Sequence, residues 1–175
     1  MKTTNALAIT RIALGVGALI VGGAVIYFLS RFVPFPGMKY VMMSPYLSVV
    51  MYVLMKKIPN HWTPLLVCLI FGGIMGFIHL FMGVAIFLTG LLTWATSLLG
   101  ASQEWRSRIG SVAFSTYTLL TALGISKYIL GGVFESVPFW WIVVASMLGS
   151  VCGAVGVFFG RTLFQYIANA TAGSR

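Results

Sequence analysis

Between Trp62 and Leu99 the chain reads WTPLLVCLIFGGIMGFIHLFMGVAIFLTGLLTWATSLL, without one Lys, Arg, Asp or Glu. A membrane-crossing helix takes about 20 mostly apolar residues. The run is too long for one crossing and about right for two joined by a tight turn. We expect that turn near residues 79–82, where His79 is the strongly polar side chain in the middle of the run. Backbone N–H and C=O groups find no partner in lipid, so a helix is the default for each half.

The rest of the chain has the same character. Of 175 residues, 59% are hydrophobic and 7% carry charge, and the mean hydropathy is +1.01. A soluble domain carries about 25% charged residues. Eleven cations and two acids cannot cover the surface of a soluble fold of this length. That excludes a soluble domain, a disordered tail and a nucleic-acid binder together. The first apolar run, Ile12 to Leu29, ends in Tyr27-Phe28-Leu29 and has no small-residue cleavage pattern. It is expected to be a retained span and not a signal peptide. Cys68 and Cys152 both fall inside apolar runs, which makes them small apolar residues, not a disulfide.

Outward from the central run, six spans are expected over about residues 12–30, 40–55, 62–78, 82–99, 109–130 and 139–160, as a single transmembrane domain over residues 1–175. Two prolines, a glycine and two cations in RFVPFPGMK (residues 31–39) forbid a continuous helix. Lys56-Lys57 closes the second span, and ASQEWRSR (residues 101–108) is the most polar stretch and is expected to be a loop. With the amino terminus inside, the cytoplasmic side receives Lys2, Arg11, Lys56, Lys57, Arg106, Arg108, Arg161 and Arg175. The outer side receives Arg31, Lys39 and Lys127. This bias is what the positive-inside rule expects. Merging the third and fourth spans would put Arg106 and Arg108 outside and destroy it. The fold class is therefore all-α: an integral bundle of six transmembrane helices in a lipid bilayer, with N and C termini cytoplasmic.

The chemistry-bearing residues are sparse and point to binding, not to an enzyme. Glu104 and Glu135 are expected on opposite membrane faces, and His61 and His79 at opposite ends of one helix, so neither a carboxylate pair nor a two-histidine metal site is expected. The sequence holds no G-x-x-x-x-G-K-[ST] phosphate loop. Span interiors lack the ionisable groups of an ion-coupled carrier. We expect no metal, no cofactor and no nucleic acid. Lys39, Tyr40, His79, Lys127, Glu135 and Trp140 gather towards the outer face, where converging loops can make a concave site with few polar groups among aromatic walls. Interfacial aromatics and snorkelling lysines account for the same residues without a ligand. Deeper, Thr93 and Trp94 of the fourth span, with Tyr117 and Thr121 of the fifth, offer hydroxyls and flat rings; such hydroxyls often bond a carbonyl one turn back. These ten residues are the candidate substrate-binding set. Outer cations outnumber Glu135, which favours a neutral or anionic ligand.

Small residues mark close helix contacts. The last span carries Gly149 with Gly153 and Gly156 with Gly160, and the first carries Ala13 with Gly17 and Ala18 with Gly22, each pair at a spacing of four. Such pairs pack helices within one chain as well as between chains.

The size, the six spans, the outer loop FVPFPGMKY, the glycine ladder LGSVCGAVGVFFGRTL and the small residues of the first helix together resemble the S component of energy-coupling factor (ECF) vitamin transporters. The resemblance covers nearly the whole chain. Where that family has Ala-x-x-x-Ala on its first helix, this chain has Ala13-x-x-x-Gly17. The resemblance implies a subunit in a prokaryotic plasma membrane that captures a vitamin or related micronutrient from outside. It implies docking through Ala13 and Gly17 onto a membrane coupling subunit driven by two cytoplasmic ATPases, so that energy enters through partners. A self-sufficient carrier or channel is the alternative, and a non-transport membrane subunit or membrane enzyme a third.

Overall fold

The computed structural model describes residues 2–33 and 37–172. Residues 34–36 of the first expected outer loop, Arg175, and the side chains of Lys2 and Arg31 lie outside the described residues. Six α-helices and no strand occur among the described residues: α1 (Lys2–Leu29), α2 (Met38–Lys57), α3 (Thr63–Ile78), α4 (Leu80–Ser97), α5 (Gln103–Ile125) and α6 (Phe139–Ala172). Five are long and apolar enough to cross a membrane; α3, with 16 residues, is shorter. At 1.5 Å per residue it extends about 24 Å, against a hydrocarbon core of about 30 Å.

Several helices overrun their apolar runs. Hydropathy marks where a lipid-compatible run ends, but a helix continues as long as its residues tolerate one. So α1 begins at Lys2 and α6 continues past Gly160 to Ala172. The polar stretch 101–108 departs most from expectation. Ser102 adopts extended backbone and its hydroxyl accepts from the Trp105 N–H at 3.3 Å, an N-cap that starts α5 at Gln103. Glu104 then lies in the first turn, where the helix dipole favours an acid. A π turn at Ser126–Leu130 prolongs α5. It stops at Gly131, whose φ of 66° is left-handed and suits glycine.

α3 and α4 form an antiparallel hairpin with one non-helical residue, His79, at its tip (φ −153°, ψ 112°). Glycines let the two backbones approach: a Cβ on Gly83 would lie 2.7 Å from the Gly72 carbonyl oxygen, and one on Gly90 would collide with the Cys68 side chain. α2 lies between α1, α5 and α6. The glycine ladder of α6 packs inside the chain, against α2 and α5. Gly153 faces Ser48 and Ser115, a Cβ on Gly156 would lie 2.9 Å from the Pro45 Cα, and Gly160 lies against Tyr52 and Val49. On α1, Gly15 faces Leu54, Gly22 faces the Tyr46 ring, and the Tyr46 hydroxyl donates to the Ala18 carbonyl at 2.6 Å. Ala13 is exposed, and space beside Gly17 is open.

Two apolar clusters fill the bundle. Val16, Leu19, Met51, Met55, Val67, Cys68 and Phe114 join α1, α2, α3 and α5. Val41, Leu119, Leu123, Ile142 and Ala145 join α2, α5 and α6. The outer surface is also apolar, with Leu14 70% and Phe158 71% exposed. Those residues would face water in a soluble protein, and lipid is the medium they fit.

Candidate ligand-binding site

The helix pairings give the molecule two ends. Glu104 is the hub of one: it pairs with Lys56, accepts from Arg108 Nε at 2.8 Å and from the Tyr52 hydroxyl at 3.1 Å. Nearby, Arg11 donates to the Lys57 carbonyl at 2.8 Å and Gln103 to the Met55 carbonyl at 2.9 Å. These contacts satisfy carbonyls that the end of α2 leaves without an intrahelical partner. Arg106 Nε donates to the Gly100 carbonyl at 2.9 Å. One acid is thus ringed by cations, and we call this the basic end.

The opposite end brings together part of the candidate set. Lys39 Nζ sits 4.9 Å from the Tyr27 ring centroid and 5.0 Å from that of Tyr40, distances that suit cation–π attraction. Lys127 donates to the carbonyls of Glu135 and Val137, so its ammonium caps the turn after α5. The Glu135 side chain is not the acceptor, and the residue is exposed. Tyr40 and Phe134 pack on the second apolar cluster, which draws the start of α2 to the end of α5. Trp140 is 62% exposed and meets Trp141 edge-on. His79 is exposed at the hairpin tip beside Phe81.

Between the ends, α4 and α5 share a seam of hydroxyls. Thr89 and Thr121 Oγ1 atoms are 2.7 Å apart, and Thr96 Oγ1 is 2.9 Å from the Tyr117 hydroxyl. Thr89 and Thr96 also donate one turn back, to Ala85 and Leu92. Thr93, fully buried on the same helix, does not: its Oγ1, like Trp94 Nε1, is buried with no hydrogen-bond partner among the described residues. An unsatisfied buried donor costs about 1–3 kcal/mol. Trp94 also has one ring face occupied, stacked on Trp62 at 4.9 Å and 14°. Trp62 belongs to the connection after Lys57, so Trp94 lies towards the basic end while Lys39, His79 and Lys127 lie at the other. The ten candidates are therefore spread along the bundle axis, and Thr93 is the fully buried member of the set.

Two features were missed from the sequence. A second seam, of serines, joins α2, α5 and α6: Ser44, Ser48, Ser107, Ser111 and Ser115 are all fully buried. Ser48 donates to the Ser111 carbonyl at 2.8 Å and Ser115 to that of Gly149 at 3.2 Å. The spacing of four at 44/48 and 107/111/115 was the available signal. The other is an open groove of ≈ 340 Å³ between α1, α2 and the tail of α6, with Arg11 and Lys57 at one end. No hydropathy pattern marks it, because its third wall is the α6 continuation.

The fold and site describe an all-helical protein with the apolar helices of a multi-pass membrane protein. The chain matches no family model, no curated protein and no solved structure.

Proposed function

We propose that the chain is the substrate-binding subunit, or S component, of an ECF-type importer. On this reading it crosses a prokaryotic plasma membrane six times, with both termini cytoplasmic. α3, although short, crosses with local thinning of the bilayer. The basic end is cytoplasmic, by the positive-inside rule. The mouth built from Lys39, Tyr40, His79, Lys127, Glu135 and Trp140 opens outwards. A ring-bearing, neutral or anionic vitamin or related micronutrient enters there and seats on the α4–α5 seam.

The observation that carries this reading is the pair of buried polar atoms without partners among the described residues, Thr93 Oγ1 and Trp94 Nε1. They adjoin a seam that already holds Thr89, Thr96, Tyr117 and Thr121. A bundle spends free energy to keep such donors unsatisfied, and a ligand acceptor placed between them would recover it. Coupling to transport then belongs to partners: the Ala13 and Gly17 face of α1, exposed or beside open space, is the face for the coupling subunit, with two ATPases behind it. The chain itself acts as no enzyme and needs no cofactor.

Mass spectrometry of small molecules that co-purify with the chain tests the proposal. One micronutrient retained near one per chain, without ATP, is the expected result. Uptake into liposomes by this chain alone would refute it in favour of a self-sufficient carrier or channel.

A further inference from the structure

The groove between α1, α2 and α6 is separate from the α4–α5 seam and has different chemistry. Its floor is Val49, Val53 and Leu54 of α2; Leu14 and Ala18 of α1 form one wall and Leu163 of α6 the other. Gly15 is pressed on Leu54, which brings α1 close to α2 at the floor. Above Ala18 and Leu14 the groove opens on the exposed, lipid-facing side of α1. All of these residues are apolar. Polar groups enter only at the end, through Arg11 and Lys57.

The two cations are not spent on carboxylates. Glu104 takes Lys56 and Arg108, and among the described residues no ion pair forms to Lys57 or Arg11. Adjacent lysines thus point to different tasks, Lys56 to the Glu104 hub and Lys57 to the groove. Arg11 gives Nη1 to the Lys57 carbonyl, one of the five N–H donors a guanidinium has. From Val49 to Lys57 the floor runs about 12 Å at 1.5 Å per residue. One leaflet of hydrocarbon is about 15 Å deep. A hydrocarbon slot of leaflet length, closed at its interfacial end by two cations, has the shape and charge of one amphiphile.

We propose that this groove binds an anionic membrane phospholipid. One acyl chain lies along Val49, Val53 and Ala18, and the phosphate sits between Arg11 and Lys57, where an arginine fork and an ammonium both donate to it. The site holds whether or not the S-component reading does, because it uses none of the ligand-site residues and neither Ala13 nor Gly17.

Native mass spectrometry of the full chain, delipidated and titrated with phosphatidylglycerol or phosphatidylcholine, tests it. Wild type should retain phosphatidylglycerol at several-fold lower concentration than phosphatidylcholine. Lys57→Gln should weaken phosphatidylglycerol retention about fivefold, the worth of one cation beside an anionic headgroup, and leave phosphatidylcholine unchanged. Ala18→Trp, which fills the slot from its lipid side, should reduce retention of both lipids. Lys39→Gln, at the far end, should change neither. Equal retention of the two lipids by wild type, or wild-type phosphatidylglycerol retention in both groove variants, would overturn the assignment. The latter result would place the retained lipid elsewhere on the chain.

Discussion

Thr93 is the residue on which the ligand site turns. Its hydroxyl is fully buried and unpartnered, although Thr89 and Thr96 on the same helix both bond one turn back. Thr93→Val keeps the shape and removes the unsatisfied group. The ligand-free chain should then be as stable as wild type or up to about 1 kcal/mol more stable, yet bind its co-purified ligand at least about fivefold more weakly. Thermal unfolding with and without ligand separates the two effects; a loss of stability with unchanged affinity would mean that the hydroxyl serves the fold. Trp94→Ala should weaken binding by at least about 1 kcal/mol, the scale of one aromatic contact. His79→Ala should do the same if the ligand passes the hairpin tip, and unchanged affinity in both would misplace the pocket. That hydroxyls and rings concentrate on α4 and α5 was legible in the sequence. That Thr93, of these three threonines, has no partner among the described residues was not, because Thr89, Thr93 and Thr96 read alike until their partners are placed.

Helix against helix, the glycines of α6 and α1 behave differently although their spacing is the same. Gly156 lies against the Pro45 backbone of α2, with 2.9 Å to Pro45 Cα and to Ser48 Cβ for an added Cβ. Backbone cannot step aside as a side-chain tip can, so Gly156→Ala forces α2 and α6 apart. A loss of about 1–3 kcal/mol is expected, the usual cost of overpacking. Gly17→Ala meets nothing within 4 Å and should leave unfolding within about 0.5 kcal/mol of wild type. Equal effects in the same detergent would show that the α2–α6 contact is not as close as described. The capping of α5 by Ser102 shows the converse limit. Charge marks 101–108 as polar, but a serine followed by an acid two residues later also starts a helix, and only the placed Trp105 N–H decides between them.

For the whole molecule, the arrangement of charge is the feature with consequences. Arg11, Lys56, Lys57 and Arg108 come from α1, α2 and α5, yet meet around Glu104 and the end of α2, while Arg106 of α5 holds the Gly100 carbonyl in the turn before it. If this end is cytoplasmic, a Ser102→Cys label should react with a membrane-impermeant maleimide only after permeabilisation. Native Cys68 is buried, and Cys152 half-buried in α6, so background should be low. Labelling in intact cells would invert the topology. Ala13→Leu should spare ligand capture but block assembly with a coupling subunit, read by co-purification; an intact complex would move the docking face elsewhere. The sequence by itself determined that this chain is helical and built for lipid, and it placed the hairpin break near His79. Those properties follow from the composition of local runs, because each backbone must satisfy its own hydrogen bonds in an apolar medium. Only the tertiary structure decided that the α6 ladder packs on α2, that Lys57 is left for a groove while Lys56 is spent on Glu104, and that Thr93 has no partner. Those facts depend on which faces meet, and in a chain apolar on nearly every face hydropathy does not say which.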